Sequence, residues 1–419
     1  MMFDAVDLFA GPGGWDVAAR GLGLHTVGLE LDAAACATRA AAGHPTIRCD
    51  IAQYPTAPFA GVRGLIASPP CQGFSRAGKR GGINDLEYAH QAVHDLAHGR
   101  DTRTQLAGAC KDKRTILVAE PMRYAAALRP EWVCLEQVPD VLPIWRQYAE
   151  LLRSWGYSVW AGELNAADYG VPQTRRRAIL IASRVRTVGP PPPTHAKEPA
   201  DGLFGDTLAR WVSMADALGL TEGLTVNTRG DRKTAGGNEF SADGPSWSLT
   251  EKTRSWALRN GTQANACTRN LDEPAGTLFF GARCNDVSWV LRNGNQPNAA
   301  IRGTHEPAPT VAFGNNAARV EWVPQRPATT VCSTDRIAPP GHRDRSANGD
   351  SQFASPDTIR ITQAEAAVLQ SFPADYPWQG TKTKQFEQIG NAVPVLLAAH
   401  VLAAATGITA AAPTTPVAA

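Results

Sequence analysis

The sequence predicts an α/β fold: a doubly wound, mainly parallel sheet with helices on both faces, joined to a smaller β-rich domain. Three observations predict it. Short apolar runs alternate with helix-like stretches from the start to about residue 185. Polar or glycine-rich residues follow the carboxyl ends of the expected strands, where open α/β sheets bind ligands. The composition changes after Arg186, at the stiff extended boundary Gly189-Pro190-Pro191-Pro192-Pro193.

Ala5 to Phe9 reads as the first strand and runs into Ala10-Gly11-Pro12-Gly13-Gly14, with a helix following through Ala18 and Leu22. Thr26 to Leu31 is the second strand, and a third ends at Asp50 and Ile51. Gly64 to Ala67 ends at Ser68-Pro69-Pro70-Cys71, and Trp132 to Leu135 ends in Glu136-Gln137-Val138. Ala178 to Ser183 is a continuous apolar run.

The expected domains are residues 1–187, holding cofactor and catalysis, and 188–355, β-rich and repeat-bearing. Residues 356–408 complete the first with helices, and 409–419 form a disordered tail. In the middle domain Leu258 to Val290 aligns without gaps on Leu291 to Val323, with 17 identities in 33 positions. Trp256, Trp289 and Trp322 share that spacing, which reads as duplicated β units joined by Asn-Gly and Pro turns. Thr362-Gln-Ala-Glu365 is a capping box, and a last apolar helix runs from near Val393 to about Ala405.

At 419 residues the chain is long enough for two or three domains. A hydrophobic fraction of 43% and a charged fraction of 19% are those of a soluble globular protein. A net charge of +2 excludes a surface coated in basic charge but leaves room for a local basic cleft. No apolar run looks long enough to span a bilayer, and the first residues lack a leader pattern, so an intracellular, cytoplasmic protein is expected. The eight cysteines are scattered without a Cys-x-x-Cys pair, which argues against a zinc site or a disulfide framework. Each is by default a small buried hydrophobe.

The glycines of Phe9 to Gly14 let backbone approach a ligand and present free amides, although taken alone such a loop is a weak signal and about a third are only tight turns. Their spacing is not that of a dinucleotide fingerprint. Glu30 at the second strand end reads either as an acceptor for a ribose diol or as a helix cap. Asp50 and Ile51 supply a carboxylate and an apolar side chain for an adenine. The set describes a nucleoside pocket without a pyrophosphate, which suits S-adenosylmethionine better than NAD.

Cys71 stands on the lip of a strand, behind two prolines that fix the backbone. A structural cysteine belongs inside the strand, so a reactive thiol is the sharper reading. Gln72, Gly73, Ser75, Arg76, Gly78, Lys79 and Arg80 follow as a basic, glycine-rich loop suited to closing over a polyanion.

These residues resemble the DNA (cytosine-5)-methyltransferases of bacteria and phages across nearly the whole chain outside 186–355. The resemblance rests on these fragments in the family's order: Asp7-Leu-Phe-Ala-Gly-Pro-Gly-Gly14, Glu30, Asp50, Pro69-Pro-Cys-Gln-Gly-Phe-Ser75, Leu135-Glu-Gln-Val138, Gln173-Thr-Arg-Arg-Arg177, and Gln388-Ile-Gly-Asn-Ala-Val393. It implies an S-adenosylmethionine-dependent methyltransferase fold in which Cys71 adds to carbon 6 of a flipped-out cytosine. Glu136 would contact ring nitrogen 3, with Arg177 and Arg175 holding the base and its backbone. Phe9, Gly11, Gly13, Gly14, Glu30, Asp50, Ile51, Pro70 and Asn391 would contact the cofactor. Gln72, Ser75, Arg76, Lys79, Arg259 and Arg292 would meet duplex DNA, where arginine reads guanine edges or phosphates. A monomer acting beside a cognate restriction endonuclease is also implied. Gln137 departs from the family's usual Asn, and the stretch Gly81 to Lys113 is longer than usual. The rival readings are a silent DNA-binding relative and an RNA cytosine-5 methyltransferase, with an NAD-dependent oxidoreductase more distant.

Overall fold

A computed structural model describes residues 3–70, 85–199, 208–219, 224–227, 239–241, 243–249, 257–260, 287–292, 301–303, 319–324, 359–360 and 362–408. The chain divides into two compact units. The first comprises Met1–Leu224, Phe240–Ser255 and Ile361–Ala419, and the second Thr225–Glu239 and Trp256–Arg360. Residues 188–224 and 243–249, on the far side of the proline-rich boundary, thus group with the first unit.

The first unit is built on seven strands: β1 Ala5–Leu8, β2 Thr26–Glu30, β3 Thr46–Arg48, β4 Gly64–Ala67, β5 Trp132–Gln137, β6 Ser158–Asn165 and β7 Arg176–Ser183. Their spatial order is β3-β2-β1-β4-β5-β7-β6. Strands β1 to β5 are parallel, and β7 runs antiparallel between β5 and β6. The apolar runs expected from sequence are strands, with two differences. The third strand stops at Arg48, so Asp50 and Ile51 lie in the turn beyond it. Strand β6 had no sequence signal, because its half-buried residues do not form a continuous apolar run.

Successive strand side chains face opposite layers. Val6, Leu8, Val27, Leu29, Leu65, Val133 and Leu135 pack in one core. It is closed by helices α3 Leu86–Ala97, α5 Glu120–Leu128 and α6 Leu142–Ser154. Between α3 and α5 lies the short helix α4 Arg103–Ala109. Ala5, Ile66, Trp132, Cys134, Ile179 and Ile181 pack in the other core, against α1 Gly14–Gly21 and a C-terminal helix. Helix α2 Ala33–Ala41 starts at Asp32, whose carboxylate accepts from the amides of Ala34 and Ala35.

Near the C-terminus α7 Gln363–Leu369 carries the expected capping box, with both reciprocal bonds formed between Thr362 and Glu365. Helices α8 Lys382–Asn391 and α9 Val395–Thr406 follow, broken at Ala392-Val393-Pro394. The stretch Lys382–Thr406 is apolar and long enough to cross a membrane. The break, and the burial of Leu396, Leu397, Val401 and Leu402 in the sheet-facing core, make it an element of the fold. Each of those buried leucines stabilises by about 1.5–3 kcal/mol, so α9 anchors the end of the chain to the sheet.

The second unit contains a three-stranded antiparallel sheet of Ile301–Gly303, Val287–Arg292 and Arg319–Pro324, with Val287–Arg292 in the centre. Trp289 and Trp322 are direct register partners, so equivalent strands of the sequence repeat pair with each other. Arg292 ends one of these strands, and Arg259 lies in the strand Ala257–Asn260.

Candidate active site

Strand ends β1, β2, β4 and β5 open on one cavity of about 680 Å³, together with the α8–α9 break. Its first wall is the loop after β1. Phe9 has a φ of +59°, a left-handed conformation that is strained for an aromatic residue and turns the chain sharply out of the strand. Gly11 follows at +54°, and a Cβ there would meet nothing within 4 Å. Its amide donates to Glu30 Oε2 at 2.8 Å, and the amides of Leu31 and Asp32 both donate to Glu30 Oε1 at 2.7 Å. The carboxylate that ends β2 therefore joins the two ligand-facing turns while still lining the cavity.

Gly13 and Gly14 do a different job. A Cβ on Gly13 would stand 2.9 Å from the His44 ring, and one on Gly14 would stand 2.2 Å from the carbonyl oxygen of Val393. Gly14 lines the cavity but is required by the close approach of α1 to the α8–α9 break. Gly13 packs on His44 and is not among the cavity-lining residues. The Tyr376 hydroxyl donates to Pro12 O at 2.5 Å across 364 residues. Beneath the loop Asp16 and Arg39 form a fully buried ion pair of 2.6 Å, and Arg39 also donates to Ala10 O at 3.3 Å. Asp7, fully buried in β1, has its carboxyl pushed well above the usual range by burial and then by the Asp16 charge. Burial, with Arg39 and Arg20 nearby, pushes the His44 imidazole down to about 4.

Phe9, Gly11, Glu30, Asp50, Ile51, Pro70 and Asn391 all line the cavity. So do Leu31, Asp32, Arg48 and Lys384, which sequence reasoning missed. Leu31 offered a signal, an apolar residue placed between the strand-end carboxylates Glu30 and Asp32, and the structure leaves it 61% exposed. Lys384 reaches Asp32 at 3.3 Å, and that pairing depended on tertiary structure.

The second wall carries the catalytic candidates. Glu136 is the last residue but one of β5 and is paired in register with Ile179 of β7. Arg177, two residues earlier in β7, is therefore its diagonal neighbour on the same face. Its Nε lies 2.9 Å from Glu136 Oε1, and both side chains are largely buried and line the cavity. Arg175 is 2% exposed, and its Nη1 donates to Gly390 O at 2.8 Å. It lines the cavity and also ties the Gln173–Arg177 segment to the end of α8. Gln173, fully buried, donates to Leu369 O at 3.2 Å in the same sense.

The Gln137 amide reaches Pro69 O with its Nε2 at 2.7 Å, and its Oε1 accepts from the Val138 amide. The longer side chain thus holds the proline pair that leads into Cys71. Trp15 Nε1 adds a bond to Ser68 Oγ at 2.9 Å. Cys71, Gln72, Ser75, Arg76 and Lys79 lie outside the described residues. Among the described cysteines Cys134 is fully buried and its thiol is pushed far up by burial. Burial likewise pushes Cys49 and Cys110 up to about 11, so neither is a ready thiolate near neutral pH.

The family model "C-5 cytosine-specific DNA methylase" matches residues 3–89 and 106–406. The Type II methyltransferase M1.HphI of Haemophilus parahaemolyticus is 25% identical, over 95% of this chain and 85% of that protein. The Type II methyltransferase M.DdeI of Desulfomicrobium norvegicum is 26% identical, over 80% of this chain and 71% of that protein. The crystal structure of the S. pombe Dnmt2 methyltransferase is similar in fold, with a TM-score of 0.50 and 12% identity. That likeness covers 97% of this chain and 99% of the other.

Proposed function

This chain belongs to the C-5 cytosine-specific DNA methylase family, and we propose that it methylates carbon 5 of a flipped-out cytosine in duplex DNA through a covalent Cys71 adduct. The observation that carries the reading is the single cavity. It is lined on one side by Glu30, Asp50, Phe9 and Gly11, and on the other by Pro70, Glu136 and Arg177. A nucleoside-type cofactor and a base held by Glu136 would meet there.

The residues fit S-adenosylmethionine. The volume suits a ligand of that size. Glu30 presents a carboxylate to a ribose diol, and Phe9, Leu31 and Ile51 give apolar surface for an adenine. No dinucleotide-type loop is present at 9–14 for a pyrophosphate. When bound, S-adenosylmethionine supplies an electrophilic methyl group. The chain's own residues make the base able to take it. The Cys71 thiolate bonds to carbon 6 while Glu136 holds a proton at ring nitrogen 3, so carbon 5 gains enamine character. Arg177 orients Glu136 through their 2.9 Å ion pair. A base then removes the carbon 5 proton, and Cys71 leaves. Duplex DNA must release the base from the stack for this to happen.

Transfer of labelled methyl from S-adenosylmethionine to duplex DNA, to tRNA and to neither substrate separates the readings. Transfer to tRNA alone overturns the DNA assignment, and transfer to neither favours a binding module. Duplex DNA with 5-fluorocytosine at the target is expected to trap a covalent adduct. An undiminished adduct with Cys71→Ala would refute the nucleophile.

A further inference from the structure

The family match stops at residue 89 and resumes at 106, so residues 90–105, the rest of α3 and the connection after it, lie outside the matched ranges. The segment is well organised. Asp95, 4% exposed, accepts from Gln91 at 2.9 Å, Arg100 at 2.6 Å and Thr102 at 2.8 Å, which folds the connection after α3 back on itself. At its end stands Arg103.

Arg103 is gripped by Asp101 through two bonds, Nε to Oδ1 at 2.8 Å and Nη2 to Oδ2 at 2.6 Å. Its Nη1 bonds both to Glu120 and to Ala52 O, the latter at 2.9 Å. Glu120 is 1% exposed and also binds Arg123 Nε at 2.8 Å. Arg123 in turn donates to Ile51 O at 2.6 Å and Tyr54 O at 3.0 Å. Two arginines sharing one buried carboxylate thus hold three carbonyls of a single turn. That turn carries Asp50 and Ile51, which line the cavity.

We propose that Arg103, carried by the segment 90–105 that the family match leaves out, is a positioning residue for the nucleoside end of the cavity. It acts with Glu120 and Arg123 to hold the turn 50–54 in the conformation that receives the adenosine part of the cofactor. This rests on the reading that S-adenosylmethionine binds there. Guanidinium groups are suited to the task, because their planar forks bind a carboxylate and a carbonyl at once. The turn's own ties close it only on itself: the Gln53 and Tyr54 amides donate to Asp50 O at 3.1 and 3.0 Å, and the Asp50 carboxylate accepts from the Ala52 amide at 3.1 Å and Gln53 at 3.0 Å, so its anchorage to the rest of the fold falls to the two arginines.

The test is calorimetric binding of S-adenosylhomocysteine to the full-length protein, alongside steady-state methyl transfer. Arg103→Met keeps the apolar stem and removes the fork. Its Kd for S-adenosylhomocysteine is expected to rise about tenfold, the loss that corresponds to about 1.4 kcal/mol. The KM for S-adenosylmethionine rises with it, while kcat at saturation and the KM for DNA stay within about twofold. A merely structural clamp would lower the melting temperature and leave Kd unchanged, and that result overturns the proposal. Asp101→Asn, at a half-exposed partner, decides the matter should Arg103→Met fail to fold. Loss of that rim pair is expected to raise Kd about two- to fivefold, and an unchanged Kd again overturns the proposal. A wild-type protein that binds no S-adenosylhomocysteine overturns the proposed function, and this inference with it.

Discussion

The two turns at the nucleoside end of the cavity are held in different ways. The loop 9–14 depends on its backbone conformation: a left-handed Phe9 and Gly11, the Gly11 amide on Glu30, and a Gly14 that lets α1 touch the α8–α9 break, with Tyr376 and Arg39 holding the carbonyls of Pro12 and Ala10. The turn 50–54 has an ordinary backbone closed by its own hydrogen bonds and is fixed from outside, by arginines 51, 69 and 72 residues from the carbonyls they bind, which converge on Glu120. A loop held by conformation fails when its geometry changes. A turn held by charge fails when a remote side chain is lost, and by a graded amount.

The sharpest break in this contrast is Gly14→Ala. Its Cβ would collide with a backbone carbonyl that has no flexible end to move aside, so a cost of about 3 kcal/mol or more in thermal melts is expected. Gly11→Ala is the control. It has space but the wrong φ, so it should fold with a penalty of about 1 kcal/mol. Equal melting temperatures for the two variants would show that backbone geometry is not what holds the loop.

Glu30→Gln comes next. It keeps the shape but weakens charge-assisted bonds from three amides, so binding of S-adenosylhomocysteine should weaken about 10- to 100-fold. Unchanged binding would separate Glu30 from the ligand.

On the catalytic wall Gln137→Ala removes the bond to Pro69 O. A fall in kcat of about tenfold is expected, with S-adenosylhomocysteine affinity unchanged. Equal loss in both would place Gln137 with the cofactor wall.

The pH response concerns the support of the loop. His44 has a folded pKa of about 4, below the 6.5 of an unfolded histidine, so the unfolded state binds more protons between those values. Its contribution to stability is fully present above about pH 6.5 and is lost as pH falls toward 4. Asp7 has the opposite sign, because a raised carboxyl pKa favours the folded state on acidification. The difference between wild type and His44→Gln therefore isolates the histidine, and the variant should melt with a flatter pH profile over that range. The smallest effect is expected for Gln53→Ala, whose exposed bond to Asp50 is worth under about 0.5 kcal/mol in cofactor binding.

Much of this contrast was legible in the sequence, and its limits follow from physics. Local chemistry leaves a local trace. Apolar runs marked the strands, glycines marked the first loop, and Ser/Thr-x-x-Glu marked the cap at Thr362. The role of Gly13 was not legible, because a glycine needed for packing against His44 has the same sequence signature as one needed to admit a ligand. The segment after Gly81 carried no message, since Arg103 gains meaning only beside Glu120 and the carbonyl of Ala52.

By itself the sequence determined which strands form the sheet's buried centre, which strand ends carry Glu30, Pro70 and Glu136, and to which family chemistry they belong. The period of apolar residues and the backbone needs of Gly and Pro act within a few residues, so a linear reading contains them. Only tertiary structure decided that Glu30 ties both ligand-facing turns, that Arg177 meets Glu136 while Arg175 meets Gly390, and that Arg103 grips the turn at Asp50. Those are pairings of polar groups across long stretches of chain. Which partner each one takes depends on desolvation and register, and these exist only once the sheet has formed.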